Sequence, residues 1–303
     1  MAYQHTIAVP VTVSGVGLHT GVEVRLRLLP APANTGVVLR RSDLEGFPIE
    51  AQVKNVARVS YATSLMKKGV LISTVEHLLS ALAASNVDNV YAELDNLELP
   101  IMDGSALPFV RLIAQAGLRR QRAWRTYARV LKPVEVAEGG RRIAIYPADS
   151  FRITCRIAFP HPLIGEQSLD FTLGDGDYDK EIAPARTFGF MEEVEKLRSS
   201  GLVRGGSLEN AIVLTREGLM NPGGLRFPDE FCRHKVLDII GDLALVGHPL
   251  LGHVVAERAG HAMHIALVAH LLQEKRAWTL ATSPEAARVR LQSPVATPAG
   301  RLA

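Results

Sequence analysis

Residues 229–246 read DEFCRHKVLDIIGDLALV. At about 100° per residue, His234, Asp238 and Asp242 fall on one stripe about 80° wide, and Val236, Ile239, Ile240 and Leu243 take the opposite side. The run reads as a helix whose polar face carries one imidazole and two carboxylates. Phe231, Leu237 and Leu245 lie on or beside that stripe, which suggests that protein covers it too. A buried carboxylate needs a partner, and a metal ion is one. A solvated face with an i,i+4 His–Asp pair is the plain alternative. Cys232 points about 200° away from His234 and reads as a core thiol.

Outward from this run, strand-like stretches at 211–215 and 252–257 flank it and helical spacing recurs at 190–199 and 261–275. Alternation at 141–147 and 151–158 reads as strands. The first part of the chain repeats the order. Alternation from Thr6 to Val38, as in VEVRLRL (22–28), reads as half-exposed antiparallel strands. Helical spacing follows at 74–85 and 105–116, with a strand at 87–95 between them. An Arg-rich stretch, 118–130, with Trp124 inside it, separates the two parts. The chain therefore reads as α+β, with two similar domains, 1–124 and 125–282, each of helices layered on a mainly antiparallel sheet. Residues 283–303 hold three Pro, five Ala and little apolar periodicity, which reads as a flexible tail.

Composition narrows the function. The 303 residues are 47% hydrophobic and 21% charged, an ordinary globular balance. Lys+Arg 34 against Asp+Glu 31 leaves a net charge of +3, too little for a dedicated nucleic-acid binder. Cys155 and Cys232, far apart, can build neither a disulfide framework nor a cysteine-rich zinc module, and they fit a reducing cytosol. Met1 to Pro10 lacks the features of a signal peptide. The most apolar long stretch, 238–255, is broken by Asp242, His248, Pro249 and His253, so no transmembrane segment is expected. These features imply a soluble cytoplasmic protein.

Two further clusters carry chemistry. In ISTVEHL (72–78), Ser73 and Glu76 have the spacing of a capping box ahead of an apolar helix. Against that stands His77, a polar residue in an otherwise apolar run, so the Glu-His pair could instead give a ligand and a general base to a shared metal. In GHAMH (260–264), His261 opens a helix, where the macrodipole lowers a histidine pKa, so acting as a protonated acid would require a carboxylate neighbour. His261 and His264, at i,i+3, could alternatively be a ligand pair. His19, in GVGLHTG (15–21), sits in a glycine-rich turn that reads as a hairpin, since no helix or GK[ST] follows as in a phosphate loop.

Taken in order, GVGLHTG (15–21), PANTG (32–36), STVEHL (73–78), PIMDGSALPF (100–109), ARTFGF (185–190), FPDEFCRHKVLDIIGDL (227–243) and GHA (260–262) resemble one family across about residues 4–280. It is that of the UDP-3-O-acyl-N-acetylglucosamine deacetylases, zinc amidases of lipid A biosynthesis. The family fold, two α+β domains with the active site between them, agrees with the element order above. After GHA the family usually has Leu-Asn, whereas this chain has Met263-His264.

The resemblance implies one catalytic Zn2+ held by His77, His234 and Asp238, with a fourth position open for water. It implies Glu76 as general base, His261 as a protonated acid with Asp242 as its carboxylate neighbour, and Thr187 as a hydroxyl near the developing oxyanion. Phe188 and Lys235 are expected to contact substrate. An insert, 188–214, would hold the acyl chain, with Met191, Val194 and Leu197 as an apolar line facing it. Phe159-Pro160-His161-Pro162 could help hold the nucleotide. The implied partner is a UDP-linked acylated amino sugar, acted on by a monomer. A non-enzymatic sugar-nucleotide binder on the same fold, or a zinc amidase with another acyl substrate, are the competing readings.

Overall fold

The computed structural model describes residues 2–174 and 177–282; the expected tail, 283–303, lies outside the described residues. The first half is built on a five-stranded sheet ordered Val11–Val16, Glu23–Pro30, Val90–Leu94, Val37–Arg41, Phe47–Glu50. Its pattern follows from period-2 alternation: Val24, Leu26 and Leu28 are buried, whereas Glu23, Arg25 and Arg27 are exposed. Two helices, α1 (Glu76–Ala84) and α2 (Leu107–Ala116), belong to this half.

In the second half Leu250–Glu257 is the central strand of a seven-stranded sheet. Arg141–Tyr146 pairs with it antiparallel on one side and Phe151–Phe159 parallel on the other. Helices α3 (Tyr178–Glu181), α4 (Met191–Ser199), α5 (Glu230–Leu243) and α6 (His261–Gln273) belong here. The fold is α+β, as the element order implied, and most pairings in both sheets are antiparallel.

Two of the parallel pairings position the site. Parallel strands need a long crossover. Val37–Arg41 runs parallel to Val90–Leu94, and the chain between them contains α1. Phe151–Phe159 runs parallel to Leu250–Glu257, and the chain between them contains α5. Thus α1 and α5 hold matching places, and each is followed by a sheet strand and another helix, α2 or α6. The two crossover helices pack on each other at Gly241, where a Cβ would lie 2.0 Å from the Glu76 carbonyl oxygen. Only a glycine lets the backbones come this close. One continuous apolar core runs through both halves, from Ile7 through Leu79, Phe231 and Ile240 to Leu271.

Three features add to the element pattern expected above. The Arg-rich stretch is itself a strand, Leu118–Trp124, antiparallel to Tyr3–Ile7, and the next strand, Thr126–Val130, enters the second sheet. A small antiparallel sheet, Val56–Arg58, Ser64–Lys67 and Val70–Ile72, precedes α1. Finally, α4 buries none of its residues in the core; beside it, Phe188–Phe190 and Ile212–Leu214 form a short parallel pair.

Candidate active site

The N-terminus of α1 does not form the capping box that its sequence suggests. The helix begins at Glu76, and the Ser73 hydroxyl instead shares a 2.9 Å hydrogen bond with Ser64. The Glu76 carboxylate accepts the Thr63 amide at 3.0 Å. Thr74 enters the helix with φ 59° and anchors that left-handed backbone by donating its hydroxyl to the buried Glu98 at 3.0 Å. Freed from capping, Glu76 and His77 are both buried at the α1–α5 contact.

There His77 meets α5. Its ring stands edge-on to His234, centroids 5.1 Å apart. Asp238 Oδ1 lies 3.5 Å from His234 Nε2 and 3.9 Å from His77 Nε2. One ion with bonds of about 2.0–2.2 Å in tetrahedral geometry sets its ligand atoms about 3.4 Å apart. This group is therefore close to ligating dimensions. The His234 Nδ1–H donates to the Ala185 carbonyl at 3.0 Å, which turns the Nε2 lone pair toward Asp238. Lys235 Nζ donates to Asp238 Oδ2 at 2.8 Å, while the buried Oδ1 has no hydrogen-bond partner. A bare carboxylate oxygen between two imidazole nitrogens in a water-poor interior suits a cation. Burial, with His234 nearby, pushes His77 down to about 3, so its ring is neutral and able to ligate. Burial likewise lowers His234. Burial alone would raise Asp238, but Lys235 and the surrounding imidazoles outweigh it and hold the carboxyl well below the usual range.

A second cluster lies one turn further along α5. Asp242, fully buried, accepts the Thr63 hydroxyl on Oδ1 at 2.6 Å. Its Oδ2 accepts Nδ1–H of His261 at 2.7 Å and of His264 at 2.8 Å. These are hydrogen-bond distances, too short for neighbouring ligands of one ion, so His261 and His264 converge on a carboxylate and not as a ligand pair. Burial opposes charge on His261, yet Asp242, with Asp238 and Glu76 behind it, raises its pKa to about 9. For Asp242 burial is again the larger influence, but His261 overrides it and draws the carboxyl down to about 2. Burial, aided by Asp242 and Asp238 against the pull of His261, raises Glu76 to about 7.

The ARTFGF loop is held from below. Arg186, buried, gives its backbone and side chain to the fully buried Glu230 through contacts of 2.9–3.1 Å, and reaches the Gly224 carbonyl at 2.8 Å. The Thr187 amide donates to the Gly104 carbonyl at 2.8 Å, so the PIMDGSALPF and ARTFGF motifs meet. Gly104, at φ 83°, has the Asn210 carbonyl 2.0 Å from where its Cβ would sit. Phe188 packs edge-on to Phe231 at 5.0 Å, and Lys235 Nζ stands 5.5 Å from its centroid.

Thr187 and Phe188 line a cavity of about 370 Å³, walled by Leu18, Met191, Val194, Leu197 and Val203. The apolar line of α4 thus faces an opening. A larger cavity, about 890 Å³, is lined by residues such as Gln52, Leu79, Arg125, Ile240 and His248 and by none of the residues above. Its one buried cation, Arg125, is taken up by Asp88 and Asn86.

Two residues escaped the sequence. Thr63 joins Glu76 and Asp242, and nothing around it in the sequence marks it. His19 is in the expected hairpin, closed by Gly21 N–H to Gly17 O at 3.0 Å, but its ring also lines the smaller cavity with both nitrogens buried and unpartnered. His161, in contrast, is occupied: Nε2 faces the Thr215 carbonyl at 2.8 Å and Nδ1 accepts the Leu163 amide.

A buried His–His–Asp group with a carboxylate and a carboxylate-bound histidine beside it is the arrangement of a metal-dependent hydrolase. The profile of the UDP-3-O-acyl N-acetylglycosamine deacetylase family matches residues 4–273, and the chain belongs to that family. It is 56% identical over 282 residues to the UDP-3-O-acyl-N-acetylglucosamine deacetylase of Solibacter usitatus, covering 93% of this chain and 95% of that one. The enzymes of the same name from Syntrophotalea carbinolica and Neisseria meningitidis serogroup A are each 46% identical, over 95% and 91% of this chain and 93% and 92% of theirs.

Proposed function

We infer that this chain hydrolyses the N-acetyl group of UDP-3-O-acyl-N-acetylglucosamine, giving acetate and the free amine, in lipid A biosynthesis. The observation that carries the reading is the unpartnered Oδ1 of Asp238 facing two neutral imidazoles. His77, His234 and Asp238 would hold one Zn2+, which when bound polarises the acetyl carbonyl and acidifies the attacking water. Lys235 and the Ala185 carbonyl keep Asp238 and His234 oriented toward it.

Glu76, fixed by the Thr63 amide, takes the proton from water as its oxygen adds to the acetyl carbon. His261, kept protonated by Asp242, gives its proton to the departing nitrogen as the C–N bond breaks. The Thr187 hydroxyl supports the oxygen that gains charge. Phe188 and Lys235 border the sugar, and the 188–214 insert receives the acyl chain along Met191, Val194 and Leu197. We take the two ligand-bearing helices to come from separate domains, 1–124 and 125–282.

The enzyme acts as a monomer in the cytoplasm, where its two free, buried thiols stay reduced. Among the described residues no helix is long and apolar enough to cross a membrane. The test combines metal analysis with acetate release by the purified protein. One zinc per chain and chelator-sensitive deacetylation are expected, and full activity in metal-free protein would overturn the reading.

A further inference from the structure

The reaction above gives the buried His264 no task. His264 lies one turn beyond His261 on α6, is 1% exposed, and sends Nδ1 to the same Asp242 oxygen that His261 uses. An ionised carboxylate only accepts, so both Nδ1 atoms carry hydrogen. His264 Nε2 is buried and has no partner. A second proton there would bury an N–H that nothing accepts, next to a charged His261. His264 is therefore a neutral donor, consistent with the lowering of its pKa by burial.

We propose that His264 is a positioning residue, whose Nδ1–H, with the Thr63 hydroxyl on the other oxygen, locks the Asp242 carboxylate in the orientation that aims the His261 ring. The proposal rests on the reading of His261 as the acid. Its geometry is a three-donor clamp on a fully buried carboxylate: Thr63 on Oδ1, His261 and His264 on Oδ2. The clamp also divides charge. A donor on Oδ2 takes part of the basicity that would otherwise act on His261, so without His264 the hold of Asp242 on the His261 proton strengthens. The other groups that act on His261 come from two helices: Asp238 and His234 on α5, and Glu76 and His77 on α1. None of them changes when His264 is replaced.

The experiment compares His264→Leu, which removes the donor at similar bulk, with His264→Asn, whose amide can still donate to Asp242. Zinc content, kcat, KM and the pH profile of kcat/KM are measured for each. His264→Leu should keep its zinc and hold KM within about twofold, while kcat falls about 10- to 100-fold, as expected for a misaimed catalytic group. Its alkaline limb should move to higher pH. His264→Asn should recover most of kcat.

Wild-type kcat and limb position in His264→Leu would overturn the proposal, as would equal losses in both variants with an unmoved limb. Ring-nitrogen NMR of the unaltered protein gives a check that needs no variant. His264 should remain a neutral Nδ1–H tautomer at pH values where His261 carries two protons; a proton on His264 Nε2 refutes the clamp. His261→Gln is measured in parallel. If it is fully active, the acid reading itself fails, a result distinct from any outcome at position 264.

Discussion

Gly241 and Glu76 touch through their backbones: a Cβ on Gly241 would lie 2.0 Å from the Glu76 carbonyl oxygen. The contact lets α1 and α5 approach this closely beside the group formed by His77, His234 and Asp238. Gly241→Ala should push the helices apart. Overpacking of this kind costs about 1–3 kcal/mol, and a shift of about 1 Å costs a catalytic constellation about 100-fold. Denaturation and zinc titration should therefore show a modest loss of stability and a larger loss of metal affinity and activity. Unchanged zinc affinity would mean that the contact does not set the site.

Removing a ligand should remove the metal. His234→Ala is expected to fold, to lose stoichiometric zinc by metal analysis, and to lose activity. Chelation of the wild type should lower its melting temperature, because an ion that binds only the folded state stabilises it by mass action. A His234→Ala protein with one zinc per chain would show that the ligands lie elsewhere.

Glu76→Gln should separate base from scaffold. The amide oxygen can still accept the Thr63 N–H, so fold and zinc content should persist. Activity should fall by about 10²- to 10⁴-fold, the usual contribution of a general base. A fully active variant would return Glu76 to a structural role.

The alkaline limb of the pH–rate profile should report His261. Its pKa is raised to about 9, so the protonated acid persists through neutral pH and is lost as pH passes that value. Asp242→Asn removes the raising charge, and the limb should move to lower pH with zinc retained. Stability follows the same sign. A raised histidine pKa contributes stability fully present below its unfolded value near 6.5 and lost as pH rises through about 9. Denaturation at both ends of that window, in wild type and Asp242→Asn, should show the loss in wild type alone.

The acyl chain should matter through α4. Each buried methylene is worth about 0.8 kcal/mol, so a substrate lacking the 3-O-acyl group should lose orders of magnitude in kcat/KM. Val194→Glu, which puts a charge into the cavity wall, should narrow that difference between the two substrates. Equal kcat/KM with and without the chain would remove the insert from recognition.

The sequence revealed the site where one helix carries it. His234, Asp238 and Asp242 share a stripe because helical period alone fixes their mutual angle, and the strands of the sheets follow from alternation, as in Glu23–Pro30. It was silent, or misleading, where packing between elements decides. Ser73 and Glu76 have capping spacing, yet Ser64 and Thr63 claim them from another segment. That His261 and His264 share Asp242 depends on how α6 rests on α5, which no local period encodes. The strand Leu118–Trp124 was missed because Leu118, Trp124 and three of its arginines are exposed, which leaves no buried alternation to read.

The matching places of α1 and α5 have a consequence for assembly. His77 comes from one crossover and His234 with Asp238 from the other, so neither half of the chain carries the whole His–His–Asp group. On the proposed ligand assignment, capture of the ion requires both halves in place, so metal uptake during refolding would time their docking.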